Sequence, residues 1–197
     1  MLKIGITGGI GSGKSTVCSI FRCFGIPVFN ADEAGRRILA EDETVKLEVV
    51  QLLGESVLDK GQLNRKAIAS IVFNDKAKLE KLNAIIHPRV RRAFTDWTDK
   101  QKAQFVIDEA AILFESGTYA ILDAVIVVTA PEKLRIERVM ARDGLSETTI
   151  RERMKNQWSE EEKIKRAAFV IQNDETSLLI PQVIDVYNHL LSKKLSK

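Results

Sequence analysis

Residues 8 to 15 read Gly-Gly-Ile-Gly-Ser-Gly-Lys-Ser, with Gly8, Gly13, Lys14 and Ser15 at the fixed positions of a G-x-x-x-x-G-K-[ST] loop. Glycines at this spacing let successive backbone N–H groups turn toward one concavity, a nest for anionic oxygens. A helix starting behind the loop adds its positive N-terminal end. Lys14 then reaches β- and γ-phosphates, and the Ser15 hydroxyl is placed to ligate Mg²⁺. The expectation is a nucleoside triphosphate site.

Phosphoryl transfer needs three more things: a metal, a group that orients the nucleophile, and positive charge over the transferred group. For the nucleophile, Asp32 follows the second apolar run, on the sheet edge that carries the loop. A carboxylate there can take a proton from a substrate hydroxyl. Equally, Asn30 can cap a helix whose first turn Asp32 favours. For the metal, Phe105-Val106-Ile107-Asp108-Glu109 reads as a strand ending in two acids. Asp108 is the first choice of Mg²⁺ ligand, with Glu109 and Glu115 as alternatives. For positive charge, Arg135, Arg138 and Arg142 fall at i, i+3, i+7 on one helix face. Guanidinium groups suit phosphate. Arg142, beside the Asp143-Gly144 break, is the preferred member. His87-Pro88 reads as the end of a helix, and His189 carries no assignment.

Five short apolar runs must position these groups: Leu2 to Thr7, Pro27 to Phe29, Phe105 to Ile107, Ala124 to Thr129 and Phe169 to Ile171. They are near-continuous rather than alternating, as strands covered on both faces are. The helix from Lys14 to about Phe24 sets Val17, Ile20, Phe21 and Phe24 on one stripe, and Gly25 ends it. Strands alternating with helices predict an α/β, doubly wound parallel sheet. Such sheets bind ligands at their C-terminal strand ends. Residues 31 to 103 hold helical patterns and no convincing strand, which suggests an inserted helical subdomain. Residues 132 to 166 are too polar to be all core and read as a helical lid. The tail from Ser192 to Lys197 is expected to fray.

Bulk properties narrow the class. The chain has 197 residues, 45% hydrophobic, with a net charge of +3, which suits one domain with an insertion. Its basic and acidic residues are interleaved, as in Arg151-Glu152-Arg153, so no nucleic-acid partner is expected. The two cysteines, Cys18 and Cys23, sit roughly 140° apart around a helix and make neither a disulfide nor a metal pair. No signal peptide or membrane-length apolar run is visible, so a cytoplasmic protein is expected, as a monomer or weak homo-oligomer.

Together these residues resemble the dephospho-coenzyme A kinase family over nearly the whole chain. The loop from Thr7 to Val17 is similar to the family's form. So are Asn30-Ala31-Asp32-Glu33-Ala34-Gly35-Arg36, Leu63-Asn64-Arg65 and Leu82-Asn83-Ala84-Ile85-Ile86-His87-Pro88. Ile112-Leu113-Phe114-Glu115, the lid stretch from Arg138 through Arg142-Asp143-Gly144-Leu145-Ser146 to Gln157, and Val170-Ile171-Gln172-Asn173 continue the series.

The resemblance implies a P-loop NTPase-type three-layer fold with a five-stranded parallel sheet. It also implies Mg²⁺-dependent transfer of the ATP γ-phosphoryl to the ribose 3′-hydroxyl of dephospho-coenzyme A. Residues Gly9, Ile10, Gly11, Ser12, Gly13, Lys14, Ser15 and Thr16, with Arg142 and Asn173, would hold ATP. Asp32 would be the base, and Asp32, Arg36, Arg65 and His87 would meet the acceptor. Three positions depart from the family pattern: Asn30 for an acid, Ala111 for Pro and Ala168 for an acid. A nucleoside monophosphate kinase would need pockets for a base and a 5′-phosphate that the His-Pro stretch does not suggest. A GTP switch would need an N-K-x-D stretch, which is missing. A regulatory ATPase module would hydrolyse ATP without an acceptor.

Overall fold

The computed structural model describes residues 1–73 and 75–192. The elements run β1 (Leu2–Thr7), α1 (Lys14–Cys23), β2 (Val28–Asn30), α2 (Ala31–Glu41), α3 (Glu43–Leu53), β3 (Leu58–Asp59), β4 (Gln62–Leu63), α4 (Arg65–Phe73) and α5 (Lys76–Thr98). They continue with β5 (Phe105–Glu109), β6 (Ala124–Thr129), α6 (Glu132–Asp143), α7 (Glu147–Met154), α8 (Glu160–Lys165), β7 (Phe169–Gln172) and α9 (Leu179–Ser192). The chain divides into two compact units: Met1–Asn30 with the residues from Lys100 on, and Ala31–Asp99. The second unit starts at the residue where the sequence placed an insertion and ends at Asp99 rather than at residue 103. Of the tail expected to fray, Ser192 closes α9; the rest lies outside the described residues.

The first unit is a five-stranded sheet in the order β2-β5-β1-β6-β7, and every neighbouring pair is parallel. β1 sits at the centre, and the chain moves to one side of it through β2 and β5 and to the other through β6 and β7. That reversal of direction opens a crevice at the C-terminal end of β1. The α1 face of the sheet is covered by Val17, Cys18 and Phe21 from α1 and by Val183, Val186 and Leu190 from α9. They pack on Ile4, Ile6, Phe105 and Ile107. Phe21 meets Phe105 edge to face at 6.2 Å. Helices lie on both faces, so the three-layer α/β architecture expected from the sequence is present.

β5 continues past its apolar run Phe105 to Ile107 into the two acids, as the strand ending in Asp108 and Glu109 was read. Asp108 and Glu109 are buried and keep strand register with Gly5 and Ile6, so they are part of the ladder rather than a loop after it. No helix among the described residues is long and apolar enough to cross a membrane.

In the second unit, α2 to α5 enclose a core of Val45, Val49, Val57, Ile68, Val72 and Leu82. Side-chain caps start the helices: Asp42 accepts from Thr44 N–H at 2.9 Å, Asn64 from Lys66 N–H at 3.0 Å, and Asp75 from Lys78 N–H at 3.0 Å. Two sequence expectations fail here. The unit does contain strands, since β3 and β4 form a two-residue antiparallel hairpin. Its turn residues Lys60 and Gly61 have φ of 50° and 77°, as tight hairpin turns require. Nor does the His87-Pro88 pair end a helix: Pro88 lies inside α5. The amide that proline lacks leaves one rung of the ladder unmade. One residue on, the Arg89 guanidinium donates to the Ile85 carbonyl at 2.7 Å and to Glu48 at 2.6 Å.

Candidate active site

The loop from Gly8 to Gly13 joins β1 to α1 at the centre of the sheet. The dipole of α1 points its positive end at the loop, which makes the loop a receptor for anions. Within the loop, Ser12 N–H donates to the Gly9 carbonyl at 3.1 Å. The Lys14 ammonium donates to the carbonyls of Gly8 at 3.0 Å and Gly9 at 3.4 Å, so its charge sits on the loop it is meant to serve.

The outer side of the loop is held by side chains from distant parts of the first unit. The Asn173 amide donates to the Ser12 carbonyl at 2.9 Å, its own N–H bonds Thr129, and its carbonyl accepts from Arg138 at 3.1 Å. A Cβ at Gly13, where φ is 92°, would overlap the Asn173 amide. A Cβ at Gly9 would overlap the Arg135 guanidinium. Arg135 is itself fixed: its Nε donates to the Ala130 carbonyl at 2.9 Å, and Glu160 lies 3.6 Å from its Nη2. Burial pushes the Glu160 carboxyl above the usual carboxylate range, while Arg135 and the Ala130 N–H pull it back. Ile10 packs against Ile136, Val139 and Ile150 of α6 and α7. Beside Gly9 opens a cavity of about 610 Å³, lined in part by Arg135, Arg151, Lys155, Gln157 and Lys163.

The three arginines of α6 thus occupy different surroundings. Arg135 is buried beside Ile136 and Val139 rather than on a solvated stripe. Arg138 reaches Asn173 and Glu175. Arg142 is exposed, and its guanidinium pairs with Asp143 through bonds of 2.7 and 2.9 Å. That pairing raises the Arg142 pKa and lowers that of Asp143.

The acids at and beyond the end of β5 also separate. In β5, Phe105, Ile107 and Glu109 alternate onto the face that α1 covers, whereas Val106 and Asp108 point the other way. Asp108, the first choice for the metal, is therefore on the far face, in register with Gly5, whose Cβ position abuts Leu113 and Leu122. Glu109 accepts from Asn30 at 3.3 Å and shares a hydrogen bond with Cys18 of α1. Burial, and then Glu109, push the Cys18 thiol well above its ordinary value, and Lys14 opposes this. Glu115 is taken by an ion pair with buried Lys163 at 3.0 Å.

In the second unit, Asp32 and Arg36 are exposed, one turn apart on α2, and Arg65 is exposed at the start of α4. His87 lies on α5, and its pKa is lowered by burial and then by Arg91.

A glycine-rich loop between a central parallel strand and a helix, with an acid on the adjacent strand facing that helix, marks a P-loop nucleotide-binding fold, the class that includes ATP-dependent phosphotransferases. The family model for dephospho-CoA kinase matches residues 2–178. A dephospho-CoA kinase from Bacteroides fragilis is 41% identical over 193 residues, covering 98% of this chain and 94% of that one. One from Chlorobaculum tepidum is 43% identical over 200 residues, covering 97% and 96%. Among solved structures, a Thermus thermophilus protein superposes with a TM-score of 0.84 at 37% identity, covering 100% of this chain and 98% of that one. The dephospho-CoA kinase from Campylobacter jejuni gives 0.68 at 30% identity, covering 95% and 96%. The chain belongs to the dephospho-CoA kinase family, which uses ATP to phosphorylate dephospho-CoA in the final step of coenzyme A synthesis.

Sequence reasoning missed that Arg135 and Lys163 are buried. Charged residues inside a polar helical stretch look solvated. Only the neighbouring Ile136 and Val139 hint that one face of α6 is buried.

Proposed function

We propose that the loop residues Gly9 to Thr16 hold the ATP phosphates and that Asp32 accepts the proton of the ribose 3′-hydroxyl of dephospho-coenzyme A. The observation that carries this reading is the side-chain clamp on the loop's outer surface, where Asn173 holds the Ser12 carbonyl and abuts Gly13 while Arg135 closes on Gly9 and Gly11. The γ-phosphorus exchanges its bond to the β–γ bridging oxygen for one to the 3′ oxygen, and ADP leaves. Lys14 and, with its Asp143 partner displaced, Arg142 face the charge spread over the moving group. Arg138 and Asn173 border the nucleotide. Arg36, Arg65 and His87 of the second unit receive the phosphate-bearing acceptor.

Mg²⁺ fits this donor set. The Ser15 hydroxyl starts α1 and the Glu109 carboxylate lies on the α1 face. Among the described residues no group of three acidic, histidine or cysteine side chains forms a cage, which suits an ion that takes most of its ligands from phosphates and water. When bound, Mg²⁺ neutralises charge on the β- and γ-phosphates. We place the metal ligand at Glu109 rather than Asp108. The mild, interleaved charge supports an enzyme without a nucleic-acid partner; a cytoplasmic monomer or weak homo-oligomer completes the reading.

The test is Asp32→Asn. It lowers kcat by roughly 10²–10⁴ with ATP affinity little changed. Turnover near the unsubstituted rate removes Asp32 from this role.

A further inference from the structure

Gln157 stands between α7 and α8, outside every role assigned so far. Its Oε1 accepts the Ile10 N–H of the phosphate loop at 3.0 Å, and its Nε2 donates to the Ala111 carbonyl at 3.3 Å. That carbonyl is a meeting point. Thr7 Oγ1 at the end of β1 and the Lys163 ammonium each donate to it at 3.4 Å. Lys163 is completely buried, and such a charge is tolerated only when paired and hydrogen-bonded. Its partner Glu115, 3.0 Å away, also accepts the Trp158 N–H at 2.7 Å. The Trp158 ring stacks on Phe114, with 7° between planes. Residues on both sides of Gln157 in space are thus locked, and the side chain has little freedom to choose another partner.

We infer that Gln157 is a positioning residue for the phosphate loop. It fixes the Ile10 amide outward, against the Ala111 carbonyl and the Lys163–Glu115 pair behind it. The loop's phosphate-facing amides lie further along. Ile10 is followed by Gly11, whose φ is 80°, and a loop of this kind has many conformations to lose on binding. Anchoring Ile10 removes part of that loss before the nucleotide arrives, so the effect falls on ATP and not on the acceptor. This rests on the reading of the loop as the ATP site.

Gln157→Met keeps length and volume and abolishes both bonds. It raises the ATP KM on the order of tenfold, leaves the dephospho-coenzyme A KM within about twofold, and speeds hydrogen exchange at the Ile10 amide about tenfold with β6 amides unchanged. Gln157→Glu retains the acceptor for Ile10, so exchange at Ile10 returns to within about threefold of the unsubstituted protein. An ATP KM within twofold in Gln157→Met, or unchanged Ile10 exchange, overturns the role. Adding Mg-ATP to the unsubstituted protein separates the two levels. Protection of the loop amides sustains the nucleotide reading even where Gln157→Met is silent. No protection overturns that reading, and this one with it.

Discussion

The Arg135 guanidinium occupies the space that a side chain on Gly9 would need, and the Arg135 carbonyl does the same at Gly11. One buried residue of α6 thereby shapes two turns of the phosphate loop. Gly9→Ala should destabilise the protein by about 1–3 kcal/mol through overpacking and raise the ATP KM. Arg135→Ala in the Gly9→Ala background should restore part of both, because the two positions are coupled. Thermal melts and steady-state kinetics of the three variants check this. Additive losses would contradict it.

The opposite facing of Glu109 and Asp108 makes a second prediction. Glu109→Gln should raise the Mg²⁺ concentration needed for half-maximal activity on the order of tenfold or more. Asp108→Asn should leave that requirement close to unchanged while lowering stability. A Mg²⁺ titration of each variant at saturating ATP decides between them. A metal effect confined to Asp108→Asn would reverse the assignment.

Lys163 and Glu115 are a buried pair. Lys163→Met leaves a carboxylate beside apolar neighbours and should cost about 3 kcal/mol, or roughly 6–12 °C in Tm for a protein of this size. Adding Glu115→Gln removes the stranded charge, so the double variant should melt above Lys163→Met alone. Equal melting temperatures would show that the pair is not what holds this segment.

His87 has a folded pKa below its ordinary 6.5 because burial, and then Arg91, disfavour its charged form. The unfolded chain therefore takes up the proton first as pH falls. The stabilisation is complete above about pH 6.5 and declines as the pH drops below it toward the lowered value. Tm should fall between pH 7 and pH 5.5, and His87→Gln should flatten that part of the profile. An unchanged slope in His87→Gln would exclude this histidine as the cause.

How much of this was readable in the sequence depended on whether the signal was local. The loop, its strand and its helix follow from glycine spacing and an apolar stripe, and Val17, Phe21, Ile4 and Ile6 are where that pattern put them. Strand order was not readable, because it depends on pairing across the chain, such as Leu2 with Phe105. The two acids at the end of β5 were legible as part of the strand, but not their burial in the ladder, because acids usually mark a strand's exit to water. The two faces then follow from register, which a single sequence does not display. Pro88 misled because a proline usually ends a helix at the residue before it, yet α5 runs through it to Thr98. The burial of Arg135 and Lys163 was hidden in a charged stretch, since only tertiary packing removes them from water.

The central claim is that this site moves a phosphoryl group from ATP to one hydroxyl of dephospho-coenzyme A. The direct measurement is to incubate the protein with Mg-ATP and dephospho-coenzyme A, weigh the product, and locate the new phosphate by phosphorus NMR. The account predicts one added phosphate, on the ribose 3′ oxygen, with ADP formed in equal amount. ADP released at the same rate without the acceptor, or a phosphate at another position, would contradict it.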